Sequence, residues 1–150
     1  MPFSHQIRAM EPDDVVSAAR IEQAVSPHPW REIQFYESQQ RHHSYVMVED
    51  QAVIGFMIYT LIGPESEILN IAIDPDYHNK GLGTYLLARL IEQVSETAER
   101  LYLEVRVSNF PAIRLYQNAG FAELCIRENY YPTAHGREDA IMMALELGDY

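Results

Sequence analysis

Leu69–Leu87, LNIAIDPDYHNKGLGTYLL, is the stretch whose reading decides the fold. The apolar run that enters it, Ile68 to Ile73, has the length and β-branching of a buried strand. Asp74-Pro75-Asp76 ends that strand, because proline cannot donate to a ladder and aspartates favour turns. Gly81-Leu82-Gly83 then opens a helical pattern in which Leu86, Leu87, Leu90, Ile91 and Val94 form one apolar stripe. Free backbone N–H groups and the positive end of a helix dipole meet at such a strand-glycine-helix junction, and glycine lets a phosphate approach closely. A phosphorylated ligand is expected there.

Around this centre the chain reads as β-α-α-β-β-β-α-β-α-β-β. His5 to Met10 alternates as a first strand, and Glu11-Pro12-Asp13-Asp14 starts a helix with Val15, Ala18, Ile21 and Val25 inward. Ser26-Pro27-His28-Pro29-Trp30 breaks it, and a second helix runs from Arg31 to Gln39. Strands follow at Tyr45–Val48 and Ala52–Ile62, with turns at Asp50-Gln51 and Gly63-Pro64. Leu101 to Val107 alternates Leu101, Leu103 and Val105 against Tyr102, Glu104 and Arg106. Asn109 to Ala119 is a short helix closed by Gly120, and Phe121–Tyr130 and Ala140–Leu147 are the last strands, joined by a long loop from Tyr131 to Glu138. Three strands joined by tight turns argue for antiparallel pairing, and the β-α-β around the glycines for a parallel neighbour. The fold class is mixed α/β, with a mostly antiparallel central sheet flanked by helices.

The totals set the limits. A chain of 150 residues is expected to be one domain, 1–150, able to bury a real core. No apolar run approaches the roughly 20 residues that span a bilayer, and MPFSHQIRAM has no apolar signal-peptide core, so no membrane and a cytoplasmic setting are expected. Cys125 is the single cysteine; it has no internal disulfide partner and reads as a small buried apolar residue. A net charge of −11 disfavours nucleic acid, whose phosphates need a basic face, and favours basic partners. His42-His43 reads as an exposed turn, and no His or Cys cluster has ligand spacing, so no metal is expected.

Three readings of the glycines compete. A P-loop fails for want of the GxxxxGK[ST] spacing. A dinucleotide fingerprint would use Gly81, Gly83 and Glu104, but its third glycine would be Leu86. The third reading is a resemblance. His78-Asn79-Lys80-Gly81-Leu82-Gly83 resembles motif A of the GCN5-related N-acetyltransferases (GNAT), Q/R-x-x-G-x-G/A, with His78 where glutamine or arginine is usual. NIAIDPDY, LEVRVSN, AIRLYQNAGF and NYYPTAHGREDAIMMAL, with HPW before the second helix, are similar to the RimI-type branch of that family. That branch acetylates the N-terminal alanine of a small-subunit ribosomal protein.

The resemblance implies a GNAT-like acyl-CoA N-acyltransferase fold with acetyl-CoA as cosubstrate. It implies that Asn79, Lys80, Gly81, Leu82, Gly83 and Thr84 hold the pyrophosphate, and that backbone groups of Ile71, Ala72 and Ile73 meet the pantetheine and thioester carbonyl. Asn109 would bond the coenzyme A arm, or cap the following helix, or both. Glu104 matches the family's general base; read alone it is an ordinary solvent-facing glutamate on an edge of the sheet. Tyr116 matches the general acid that protonates the sulfur; read alone it is one of ten tyrosines, packed between helix and sheet. Trp30, Tyr130 and Tyr131 would wall the acceptor groove, with anchoring of a helix start as the alternative for Trp30. The partner implied is a ribosomal protein N-terminus, met by a monomer. The rivals are the same fold acting on a lysine side chain or small-molecule amine, and a coenzyme A binding module without turnover.

Overall fold

A computed structural model describes residues 5–148 of the chain. Among them are strands β1 (Gln6–Ala9), β2 (His43–Glu49), β3 (Ala52–Ile62), β4 (Glu65–Ile73), β5 (Arg100–Arg106), β6 (Ala122–Thr133) and β7 (Gly136–Glu146). The α-helices are α1 (Val15–Val25), α2 (Glu32–Arg41), α3 (Leu82–Ser95) and α4 (Phe110–Asn118), with 3-10 turns at Pro12–Asp14 and Pro75–Tyr77. The strands form one sheet in the order β1-β2-β3-β4-β5-β7-β6. Pairing is antiparallel for β1 with β2, β2 with β3, β5 with β7 and β6 with β7, and parallel for β4 with β5. The mixed, mostly antiparallel sheet expected from the sequence is therefore the one observed.

The residues group into two compact units. One runs to Thr60 and includes Leu69–Leu87; the other holds Leu61–Ile68 and the chain from Ala88 onward. In the first unit Met10, Val15, Ala18, Ile21, Phe35, Val46, Val53, Phe56 and Ile58 make a buried cluster. Phe35 meets Phe56 edge-on with centroids 5.1 Å apart, and burying such a ring contributes about 2 to 3 kcal/mol. The turn into β3 places Asp50 and Gln51 at φ 48° and 69°, the paired left-handed conformation of a two-residue hairpin. Gly55, inside β3, has a different reason: a Cβ there would lie 2.7 Å from Ile73 Cδ1 and 3.0 Å from the Ala72 carbonyl oxygen. Only glycine lets β4 come so close.

In the second unit β5 alternates as expected, with Leu101, Leu103 and Val105 buried and Tyr102, Glu104 and Arg106 half-buried on the other face. Its parallel register with β4 runs from Glu65↔Arg100 to Ile68↔Leu103, which puts Glu67 beside Tyr102.

Four expectations need correction. The stretch Tyr131–Glu138 is strand rather than long loop, because β6 and β7 continue to a tight turn closing at Thr133↔Gly136. Val25 is exposed and Glu22 takes the inward place, four residues after Ala18. His43 opens β2, stacked on Tyr59 at 5.1 Å, while half-buried His42 ends α2. Cys125 is exposed on β6, which has β7 as its one neighbour at the end of the sheet order.

Candidate active site

The first unit carries the glycine junction. Asp74 ends β4 and its Oδ1 accepts from the Asp76 N–H at 3.0 Å, which starts the 3-10 turn. Arg20 of α1 donates to Asp74 Oδ2 at 3.1 Å. These bonds hold the Asp74 carboxyl below the usual carboxylate range, the Asp76 amide first and Arg20 next, against the cost of burial. His78 Nε2 then donates back to the Ile73 carbonyl at 2.7 Å. The residue that departs from the family motif thus ties the loop to the strand it leaves.

Asn79 and Gly81 take positive φ, 63° and 75°, so Gly81 is glycine for backbone reasons. Gly83 has no such reason: its φ is not positive, and a Cβ built there meets nothing within 4 Å. It lies in the first turn of α3, whose leading N–H groups have no carbonyl four residues back. Open space above unpartnered amides at a helix N-terminus fits a diphosphate. Lys80 is exposed there, its ammonium 5.4 Å from the centroid of the Tyr77 ring.

Trp30 is half-buried against Phe35, with centroids 5.1 Å apart. Its backbone N–H donates to Glu22 Oε2 at 3.1 Å. Burial pushes the Glu22 carboxyl up, and the bond from Trp30 partly offsets this.

The second unit carries the ionisable side chains. Glu104 projects from β5 with 14% of its side chain exposed, and Arg127 Nη2 of β6 lies 3.4 Å from its Oε1. The Arg127 guanidinium also lies 5.1 Å from the Tyr130 ring centroid, and that of Arg106 4.3 Å from the Tyr131 centroid. Arg106 Nη1 donates to Glu138 Oε1 and to the Pro132 carbonyl, each at 3.0 Å. β6 is irregular between Arg127 and Tyr131, with Asn129 at φ 53° and its N–H held by Asp139 Oδ1 at 2.9 Å. Tyr130 and Tyr131 meet edge-on at 5.0 Å.

Tyr116, on α4, is 8% exposed and packs on Phe121 at 5.6 Å. Burial pushes its phenol up to about 12, with a further contribution from Tyr131. Tyr131 is itself pushed up to about 12 by burial, then by Glu104 and Tyr130, against Arg106 and Arg127. Glu104, Tyr131 and Tyr116 therefore form one electrostatic group. The Asn109 side chain accepts from the Ala112 N–H at 3.3 Å, so it caps α4.

The sequence reading missed Glu67, Arg127 and Gly55. The alternation of ESEIL was a signal for the first, because it sets Glu67 opposite to buried Ser66 and Ile68. A lone glycine inside an apolar strand was the signal for the third.

A family model described as the acetyltransferase (GNAT) family matches residues 11–121. The chain belongs to that family. Among its GNAT relatives, the [ribosomal protein bS18]-alanine N-acetyltransferase of Escherichia coli K12 is 42% identical over 143 residues, which is 94% of this chain and 97% of the relative. The Haemophilus influenzae protein of the same name is 39% identical over 144 residues, 94% and 98% of the two chains. The crystal structure of the ribosomal-protein-S18-alanine N-acetyltransferase from Escherichia coli superposes with a TM-score of 0.89 at 40% identity, covering 97% of this chain and 96% of that one. The GNAT fold is thereby shown for the chain. No helix among the described residues is long and apolar enough to cross a membrane, and no group of three or more metal-ligating side chains gathers among them.

Proposed function

We propose that the chain is an Nα-acetyltransferase that transfers the acetyl group of acetyl-CoA to the N-terminal alanine of ribosomal protein bS18. The observation that carries this reading is identity at the 42% level spread over nearly the whole length of both chains. The reading treats residues 1–150 as a single working domain, a cytoplasmic monomer that needs no metal and does not contact nucleic acid directly. An acidic chain of net charge −11 suits a basic ribosomal protein as partner.

The cosubstrate supplies an activated acetyl thioester. Its pyrophosphate would take the backbone N–H groups of Asn79 to Thr84, with Gly83 leaving room and Lys80 adding positive charge. Ile71, Ala72 and Ile73 would offer backbone groups to the pantetheine and the thioester carbonyl; one such donor is worth about 3 kcal/mol in acyl transfer. Asn109 would bond the coenzyme A arm with whatever capacity its cap leaves.

The amine nitrogen forms a bond to the acetyl carbon, the carbon–sulfur bond breaks, one proton leaves the amine and one reaches the sulfur. Glu104 takes the first, directly or through a water. An α-amine has a pKa near 7.8 against about 10.4 for lysine, so at physiological pH roughly a quarter of α-amines are already neutral. The base therefore has a modest task. Tyr116 serves the sulfur. A phenol at about 12 is protonated at every working pH, and a thiol of ordinary pKa near 8.5 makes complete transfer uphill by about 5 kcal/mol. Tyr116 thus acts chiefly by donating a hydrogen bond that strengthens as charge grows on sulfur, and the thiolate takes its proton from solvent once it has left. Acceptor recognition falls to Trp30 in the first unit and to Tyr130 and Tyr131 in the second.

The test is mass-spectrometric acetylation with acetyl-CoA and two peptides. One has the free alanine N-terminus of bS18; the other has a blocked N-terminus and an internal lysine. Acetylation of the alanine alone is expected. Modification of the lysine peptide at a comparable rate would move the enzyme to side-chain amines.

A further inference from the structure

Arg127, Glu104 and Glu67 share one face of the sheet in the second unit. Antiparallel registers place Glu104 opposite Met142, and Ala140 opposite both Arg106 and Arg127. Ala140 carries only a methyl group, so the long Arg127 side chain can lie across β7 toward β5. Its guanidinium ends 3.4 Å from Glu104 Oε1 and 5.1 Å from the Tyr130 ring centroid. Glu67 lies on the same face, one strand further on and in register with Tyr102, two residues before Glu104.

We propose that Arg127 is a positioning residue for acetyl transfer: it holds the Glu104 carboxylate in an ion pair and offsets the facing charge of Glu67, so that the carboxylate is kept available to the amine. This rests on the reading of Glu104 as the base. A partly neutral α-amine does not need a strong base; it needs an unprotonated one. Two carboxylates on neighbouring strands tend to share a proton, because like charges at short range disfavour double ionisation. Among the groups facing Glu67 are Glu104 and Tyr102 from β5 and Arg127 from β6; Tyr131 also faces Glu104. The Glu67 carboxyl is raised by burial first and by Glu104 second, and Arg127 works against both. Removing the guanidinium would let Glu67 keep its proton to still higher pH and leave the two carboxylates without the cation between their charges.

The experiment compares Arg127→Met, Arg127→Lys and the double variant Glu67→Gln/Arg127→Met with the native chain, using the alanine peptide. The ratio of variant to native kcat/KM cancels the titration of the substrate amine and isolates that of the enzyme. For Arg127→Met the ratio is expected to fall about tenfold near pH 6 and to return to within about threefold near pH 8.5. Arg127→Lys should recover most of the low-pH loss. Adding Glu67→Gln to Arg127→Met should do the same, because no second carboxylate then faces Glu104. The KM for acetyl-CoA should not move in any of them. A loss of equal size at both pH values overturns the proposal, as does a double variant no better than Arg127→Met. Full activity in Glu104→Gln would instead overturn the base itself, an outcome read from that variant alone.

Discussion

The glycine junction after β4 and the charged face of β5 and β6 are built by opposite means. At the junction the groups offered to a ligand are backbone amides, and side chains serve to fix the backbone: Asp74 caps the turn and His78 reaches the Ile73 carbonyl. In the second unit the groups offered are side chains, Glu104 from β5, Tyr131 from β6 and Tyr116 from α4, set by ion pairs and ring contacts. A backbone site depends on local conformation and tolerates changes of residue type. A side-chain site depends on residue type and on which strands meet.

That contrast orders the expected effects. The largest belongs to the ionisable side chains of the second unit. Glu104→Gln should lower kcat by about 100- to 1,000-fold and Tyr116→Phe by about 100-fold, the range for a positioned acid or base. Coenzyme A affinity by calorimetry should stay within about threefold in both. Loss of affinity to match the loss of rate would erase the distinction between the two regions.

Gly81→Ala comes next and should do the reverse. Forcing a Cβ into φ 75° costs about 1 to 2 kcal/mol. The acetyl-CoA Kd should rise roughly tenfold while kcat at saturation is nearly kept. A fall in kcat with Kd unchanged would mean that the junction is not where the cosubstrate is held.

The smallest effect belongs to His78→Ala. One loop hydrogen bond is lost, worth about 1 kcal/mol, so affinity should fall about fivefold. His78→Gln should restore it if its amide N–H reaches the Ile73 carbonyl. No recovery in the glutamine variant would mean that the ring itself matters.

The same contrast explains what the sequence made legible. Glycine, proline and aspartate act on their own neighbours, so Asp74-Pro75-Asp76 and Gly81-Leu82-Gly83 announced a strand end, a turn and a helix start without any knowledge of the rest. The alternation of β5 was legible for the same reason. Arg127 was not, and the alternation of ESEIL offered Glu67 a face but no partner. Their link to Glu104 needs β7 between β6 and β5 and β4 beside β5, a sheet order that no local pattern encodes. The hairpin of β6 and β7 was misread because YPTAHG is rich in turn formers, yet Tyr131 and Pro132 pair with Glu138 and Arg137. Long-range pairing overrode local propensity there. Val25 failed differently: an apolar residue was expected on the inward face, whereas buried Glu22 takes the place because the Trp30 amide gives its carboxylate a partner.

Exposed Cys125 has a practical use. It is the single cysteine in the chain, and in the unbroken register of this part of β6 it lies on the same face as Arg127, two residues away. A thiol-reactive fluorophore would therefore attach at one place without any cysteine being engineered in or out. The native polypeptide arrives with its own address for an optical probe, beside the charges whose behaviour most needs watching.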